Sequence, residues 1–278
     1  MKAIFDTVSY KCSKLTTKSY STSFSLGIKF LNKRLHQPIY NIYGFVRFAD
    51  EIVDTFHEFN KKELLDEFRE ETYKAIGRKI SLNPILNSYQ EVVNTYNIER
   101  EVIDAFLDSM EMDITKNFYS KEGYEKYILG SAEVVGLMCL SVFCKGEEPL
   151  YNSLKTDAMK LGAAYQKINF LRDLQADYKE LDRSYFPGID VANFTLEDKK
   201  KLEEEIEEDF KRGFQGIKGL PKDARFGVYM TYVYYYKLFK KIQSVTPKAM
   251  LENRVRIPNY RKYSLFLSSY FRHSFNIL

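Results

Sequence analysis

Two pairs of aspartates, each spaced four residues apart, constrain this chain most: Asp50 with Asp54, and Asp173 with Asp177, more than a hundred residues further on. Each pair sits in an apolar stretch that reads as helix. Residues four apart on a helix point the same way, so each helix aims two carboxylates at one patch of space. Like charges at that spacing repel, and burying them without compensation is costly. Divalent cations held by carboxylates and completed by phosphate oxygens are the usual compensation. The spacing therefore predicts a Mg²⁺–diphosphate site between two facing helices.

The rest of the chain suits such a site. Its 278 residues contain only 13 glycines and 7 prolines, so turns are few and elements long. The expectation is an all-α body. A 45% hydrophobic share supplies a core, and 29% charged residues cover it. Net charge is +4 with basic residues spread among acidic ones, which leaves no electrostatic footprint for nucleic acid. Cys12, Cys139 and Cys144 form no Cys-x-x-Cys pair, so neither a disulfide framework nor a zinc site is expected, in keeping with a reducing cytosol. No signal-peptide core opens the chain, and no 18-residue stretch is continuously apolar, so no transmembrane helix is expected. The expected location is cytoplasmic. The Tyr263–Leu278 segment is amphipathic; it reads first as a docked terminal helix and second as a peripheral contact with a membrane.

One domain over residues 1–278 is expected, since no repeat, linker or compositional break interrupts it. Pro38 reads as the first residue of a helix running through Ile39–Phe59 and carrying the first aspartate pair. Further helices are expected over Lys61–Lys79, from Asn83-Pro84 to Tyr96, over Glu99–Asn117, and over the small-residue-rich Ser120–Phe143. Thr156–Leu181 carries the second pair. Thr195 and Asp198 resemble a capping box starting an acidic helix through about Gly213, read as a solvated face, and Pro221–Val245 is a final long helix.

The surroundings of both pairs are equally specific. Arg47 precedes Asp50 by three residues, on roughly the same face, and can contact a diphosphate. Gln166, Asn169, Asp173 and Asp177 fall at i, i+3, i+7 and i+11, one stripe of amides and carboxylates on an otherwise apolar helix. One Asp-x-x-x-Asp pair alone is most simply structural. Two pairs, each beside an arginine, are not.

The motifs Phe45-x-Arg47-x-x-Asp50-x-x-x-Asp54 and Gln166-x-x-Asn169-x-x-Arg172-Asp173-x-x-x-Asp177 resemble those of the squalene/phytoene synthase family. The resemblance extends to Ser21-x-Ser23-Phe24, to Tyr127 followed by Val135-Gly136, to Tyr185-Phe186-Pro187, and to Tyr235 and Arg254. It implies an isoprenoid-synthase helical bundle around a central hydrophobic cavity. The implied enzyme is a prenyltransferase that joins two prenyl diphosphates head to head (1′–1) through a cyclopropyl diphosphate. By the same resemblance Asp50, Asp54, Asn169, Asp173 and Asp177 hold Mg²⁺, for which Mn²⁺ can substitute. Those four aspartates and Tyr127 form the implied catalytic set. Ser21, Ser23, Arg47, Gln166, Asn169, Arg172, Tyr235 and Arg254 are the implied diphosphate contacts, and Phe24, Phe45 and Tyr185 the implied cavity lining.

Two C20 geranylgeranyl diphosphates joined to phytoene without NADPH are the expected reaction. Two C15 farnesyl diphosphates joined to dehydrosqualene or squalene are the alternative. A non-catalytic assembly factor on the same fold is remote, because all four aspartates are present. Tyr20 and Thr22 stand where some relatives carry basic residues, which makes one diphosphate pocket less cationic, and Glu51 replaces a common aspartate off the metal-facing side.

Overall fold

The computed structural model describes residues 1–115, 119–181 and 185–256, without the side chains of residues 22–23 and 176–181. The Ser23 and Asp177 side chains and the Tyr263–Leu278 segment expected at a membrane lie outside the described residues.

Helix follows helix throughout. The first three are α1 (Lys2–Tyr20), α2 (Thr22–Lys29) and α3 (Lys33–Asp54). Then come α4 (Lys61–Arg78), α5 (Pro84–Tyr96) and α6 (Arg100–Thr115). A continuous run from Lys121 to Phe143 comprises α7 (Lys121–Ile128), a π-helical turn (Leu129–Glu133) and α8 (Val134–Phe143). The long α9 (Glu148–Leu181) is followed by α10 (Leu196–Gly219), α11 (Lys222–Gln243) and α12 (Pro247–Glu252). No strand occurs among the described residues.

Local chemistry explains most boundaries. Asn83 accepts from the Ile85 and Leu86 amides ahead of α5, and Thr195 and Asp198 form a reciprocal capping box ahead of α10. Pro38 is a correction. The helix carrying Asp50 starts five residues earlier, at Lys33, where Asn32 accepts from the Arg34 amide. Pro38 therefore lies inside α3, and the side-chain cap upstream defines the start.

The core wraps around α3, α8 and α9, which bring the motifs together. Small residues permit the close contacts. A Cβ on Gly162 of α9 would stand 2.6 Å from the Ala132 carbonyl oxygen, and one on Gly130 would stand 2.3 Å from that of Ala105. The backbone of the π-helical turn thus presses directly against both α6 and α9. By length and mean hydropathy (1.5) the Lys121–Phe143 run could cross a membrane, yet 56% of its most apolar window is buried inside the bundle.

Helix α10 departs from a purely solvated reading. Its Asp209, 5% exposed, receives the buried Lys167 ammonium of α9 at 2.6 Å, and Glu205 joins the same ammonium. This ion pair fastens α10 to α9, behind the cavity.

Candidate active site

A cavity of about 860 Å³ runs through the bundle between α2, α3, α8, α9 and α11. Asp50 and Asp54 on α3 meet Asp173, Asn169 and Gln166 on α9 along its wall, so the two motifs do face one space. Away from these acids the lining is mostly apolar, with Ile28, Leu31, Leu140, Phe143, Leu154, Ile217 and Leu220, and Asp157 among them.

On the α3 side, Asp50 is held near Arg47 at 3.8 Å. Burial, the neighbouring Asp54 and, more weakly, Asp113 push the Asp50 carboxyl up to about 7, although Arg47 opposes them. Its side chain keeps 32% of its area accessible and lines the cavity. The Arg47 guanidinium lies on the Tyr20 ring, 4.3 Å from its centre, and donates to Glu51. Its Nε is buried with no hydrogen-bond partner among the described residues. An unsatisfied cationic donor on a residue that lines the cavity is suited to an anionic ligand.

On the α9 side, Asp173 is clasped by two arginines. Arg172 donates through Nε at 3.0 Å and Nη2 at 2.5 Å, and Arg254 through Nη2 at 3.1 Å. Asn169 donates to Gln166 Oε1 at 3.3 Å and hydrogen-bonds Tyr235. Its own carbonyl oxygen Oδ1 is buried without a partner among the described residues. Tyr235 stacks on Tyr165, ring centres 4.2 Å apart.

Ser21 caps α2, accepting from the Phe24 amide at 3.2 Å, and its hydroxyl also reaches Tyr43, whose phenol burial pushes up to about 12. Phe24 stacks on that Tyr43 ring and lines the cavity. Tyr127, Phe170 and Tyr185 form an aromatic wall, with Phe170 and Tyr185 stacked at 3.9 Å.

Phe45 is a correction. It is fully buried on the opposite face of α3, stacked on Tyr89 at 3.8 Å and packed against Phe68 and Phe106. It belongs to the core and not to the cavity lining.

Sequence reasoning missed Asp113. It lies at the end of α6, 7% exposed, and accepts from the Tyr127 hydroxyl at 2.7 Å and the Tyr119 hydroxyl at 3.2 Å. Burial and the Asp113 charge hold the Tyr127 phenol well above its ordinary value. A signal was present: Asp113 is in phase with the buried Phe106 and Met110, seven and three residues earlier, whereas Asp104, Asp108 and Glu111 lie off that stripe and pair with Arg69.

The donor set fits a hard divalent cation. Asn169 Oδ1 is a buried neutral oxygen without a partner among the described residues, and Asp50 and Asp54 are neighbouring carboxylates whose mutual repulsion a divalent cation would relieve. Asp50 and Asp54 from α3, with Asn169 and Asp173 from α9, are the residues that would hold it.

An all-α bundle with carboxylates, amides and arginines along one wall of a deep apolar cavity defines a protein built for long hydrocarbon anions. The squalene/phytoene synthase family model matches residues 17–261, and the chain belongs to that family of prenyltransferases. It is 25% identical to a phytoene synthase of Arthrospira platensis, over 91% of this chain and 90% of that protein. It is 30% identical to a presqualene diphosphate synthase of Sinorhizobium fredii, over 65% of this chain and 64% of that protein. Among solved structures, a dehydrosqualene synthase in complex with ligand shares the fold with a TM-score of 0.83 at 20% identity, covering 97% of this chain and 98% of the other.

Proposed function

We propose that the protein joins two geranylgeranyl diphosphates head to head, yielding phytoene and releasing both diphosphates. The observation that carries this reading is one cavity with charged groups along one wall and a long apolar interior. Similarity to phytoene synthases along nearly the whole chain supports the C20 substrate. The fold shared with a dehydrosqualene synthase favours two farnesyl diphosphates as the second reading.

In this reading the diphosphates sit near Arg47, Arg172 and Arg254, whose guanidinium groups would donate to their oxygens. Divalent metal bound at the carboxylates supplies the positive charge that makes diphosphate a leaving group. The chain's own residues do the rest. The apolar interior keeps water from the allylic carbocation, and the faces of Tyr127, Phe170 and Tyr185 offer it cation–π stabilisation. Tyr127 already donates its proton to Asp113. Its oxygen is thereby left to accept the proton that the final cation loses, as its own passes to Asp113.

Incubating the protein with Mg²⁺ and either C15 or C20 diphosphate, with and without NADPH, tests the substrate. A C40 hydrocarbon from the C20 substrate without NADPH is expected. A C30 product formed in preference from farnesyl diphosphate would replace this reading with the second.

A further inference from the structure

Helix α1 is built inside out. Its bundle-facing side is Ser9, Ser13 and Thr17, each 0% exposed. Ser13 meets Ser88 of α5 hydroxyl to hydroxyl at 2.6 Å, and a Cβ on Gly44 of α3 would stand 3.0 Å from Ser13 Oγ. Small polar residues thus let α1 lie close on α3 and α5. Its apolar residues point the other way: Ile4 is 69% exposed, Val8 48% and Leu15 67%.

Ile4, Val8, Lys11, Leu15 and Lys18 fall at i, i+4, i+7, i+11 and i+14, one continuous outward stripe. Lys14 lies at its edge, exposed, with its ammonium turned back over the Tyr40 ring, 5.8 Å from its centre. Neither Lys11 nor Lys18 pairs with a carboxylate among the described residues. Singly exposed apolar residues are ordinary on soluble proteins. An aligned apolar stripe interleaved with unpaired lysines is instead the pattern of a helix lying in a membrane interface.

The stripe leads to the cavity. Five residues past Leu15, about 7.5 Å along the axis, α1 ends at Tyr20, which lines the mouth and carries Arg47 on its ring. Just past the end of α3, in the turn before α4, Phe56 and Phe59 are exposed at 36% and 67%.

We propose that the outward stripe of α1 is a docking surface for an anionic lipid leaflet, with Ile4, Val8 and Leu15 entering the acyl boundary and Lys11 and Lys18 facing lipid phosphates. A second copy of the chain fits poorly, because stripe against stripe sets lysine against lysine with no acid to answer. The inference stands on the helix itself and holds for either prenyl substrate.

Flotation of the full chain with vesicles tests it. Wild type binds phosphatidylglycerol–phosphatidylcholine vesicles, and added salt weakens binding. Ile4→Glu/Leu15→Glu lowers vesicle affinity at least tenfold. Lys11→Gln/Lys18→Gln lowers it by roughly fivefold for each lysine removed, the worth of a lysine near an anionic leaflet. Both variants retain wild-type turnover of detergent-dispersed substrate. Failure of wild type to bind anionic vesicles overturns the proposal, as does undiminished binding by both variants. A wild-type dimer in lipid-free sedimentation that Leu15→Glu dissociates assigns the stripe to self-association and likewise overturns it.

Discussion

Replacing Asp50 by asparagine should stabilise the metal-free protein while abolishing its activity. Burial and the adjacent Asp54 raise the Asp50 carboxyl from its ordinary 3.8 to about 7 in the folded chain. Between those values the native state holds a proton that the unfolded chain has released, so stability falls as pH rises through that window and is level above it. The shift of about 3 units at about 1.4 kcal/mol each sets an upper figure of about 4 kcal/mol. A side chain with 32% of its area accessible to solvent is screened, which brings the figure to about 2 kcal/mol. Thermal unfolding in EDTA at pH 8 should then show Asp50→Asn melting roughly 4–6 °C above wild type. At pH 5 most of the window has not been crossed, and the gain should shrink to about a third. A variant less stable than wild type at pH 8, or a gain independent of pH, refutes the reasoning.

Three further outcomes follow from the geometry. Tyr127→Phe and Asp113→Asn should each slow hydrocarbon formation by about 10²–10⁴-fold, and the double variant should be little slower than either, because the two act as one unit; steady-state rates showing additive losses contradict this. Phe45→Ala should destabilise by about 3–5 kcal/mol in denaturant unfolding without altering the product, whereas Phe24→Ala should change product distribution or substrate preference. Lys167→Met should destabilise by about 3 kcal/mol because the buried Asp209 carboxylate keeps only the more distant Lys160 ammonium, at 3.5 Å, and adding Asp209→Leu should restore most of that loss.

The motif helices were legible because their signals are local. Spacing alone places Asp50 with Asp54, and Gln166 with Asn169 and Asp173, on single faces, and these faces do share one cavity. Capping chemistry also reads directly, as at Asn83 and Thr195. Helix α1 was not legible by hydrophobic periodicity, since its inner face is serine and threonine and its apolar residues face outward. Pro38 misled for a related reason: proline favours a helix start, but the Asn32 cap had already begun the helix. Phe45 and Arg47 are two residues apart, which on a helix places them on different faces, so a motif read along the chain joined a core residue to a site residue. Asp113 needed helical phase to separate it from the acids exposed on the same helix. The pairing of Tyr127 with Asp113 links two elements, which a sequence does not order in space.

The central claim is that the bond formed joins the two carbons that carried diphosphate. Supplying substrate labelled with ¹³C at C1 and recording the carbon spectrum of the hydrocarbon tests it directly. Head-to-head joining predicts two adjacent labelled carbons in each product molecule, seen as one-bond carbon–carbon coupling. Labels separated along a longer diphosphate, or recovered only in the free allylic alcohol, would contradict the account.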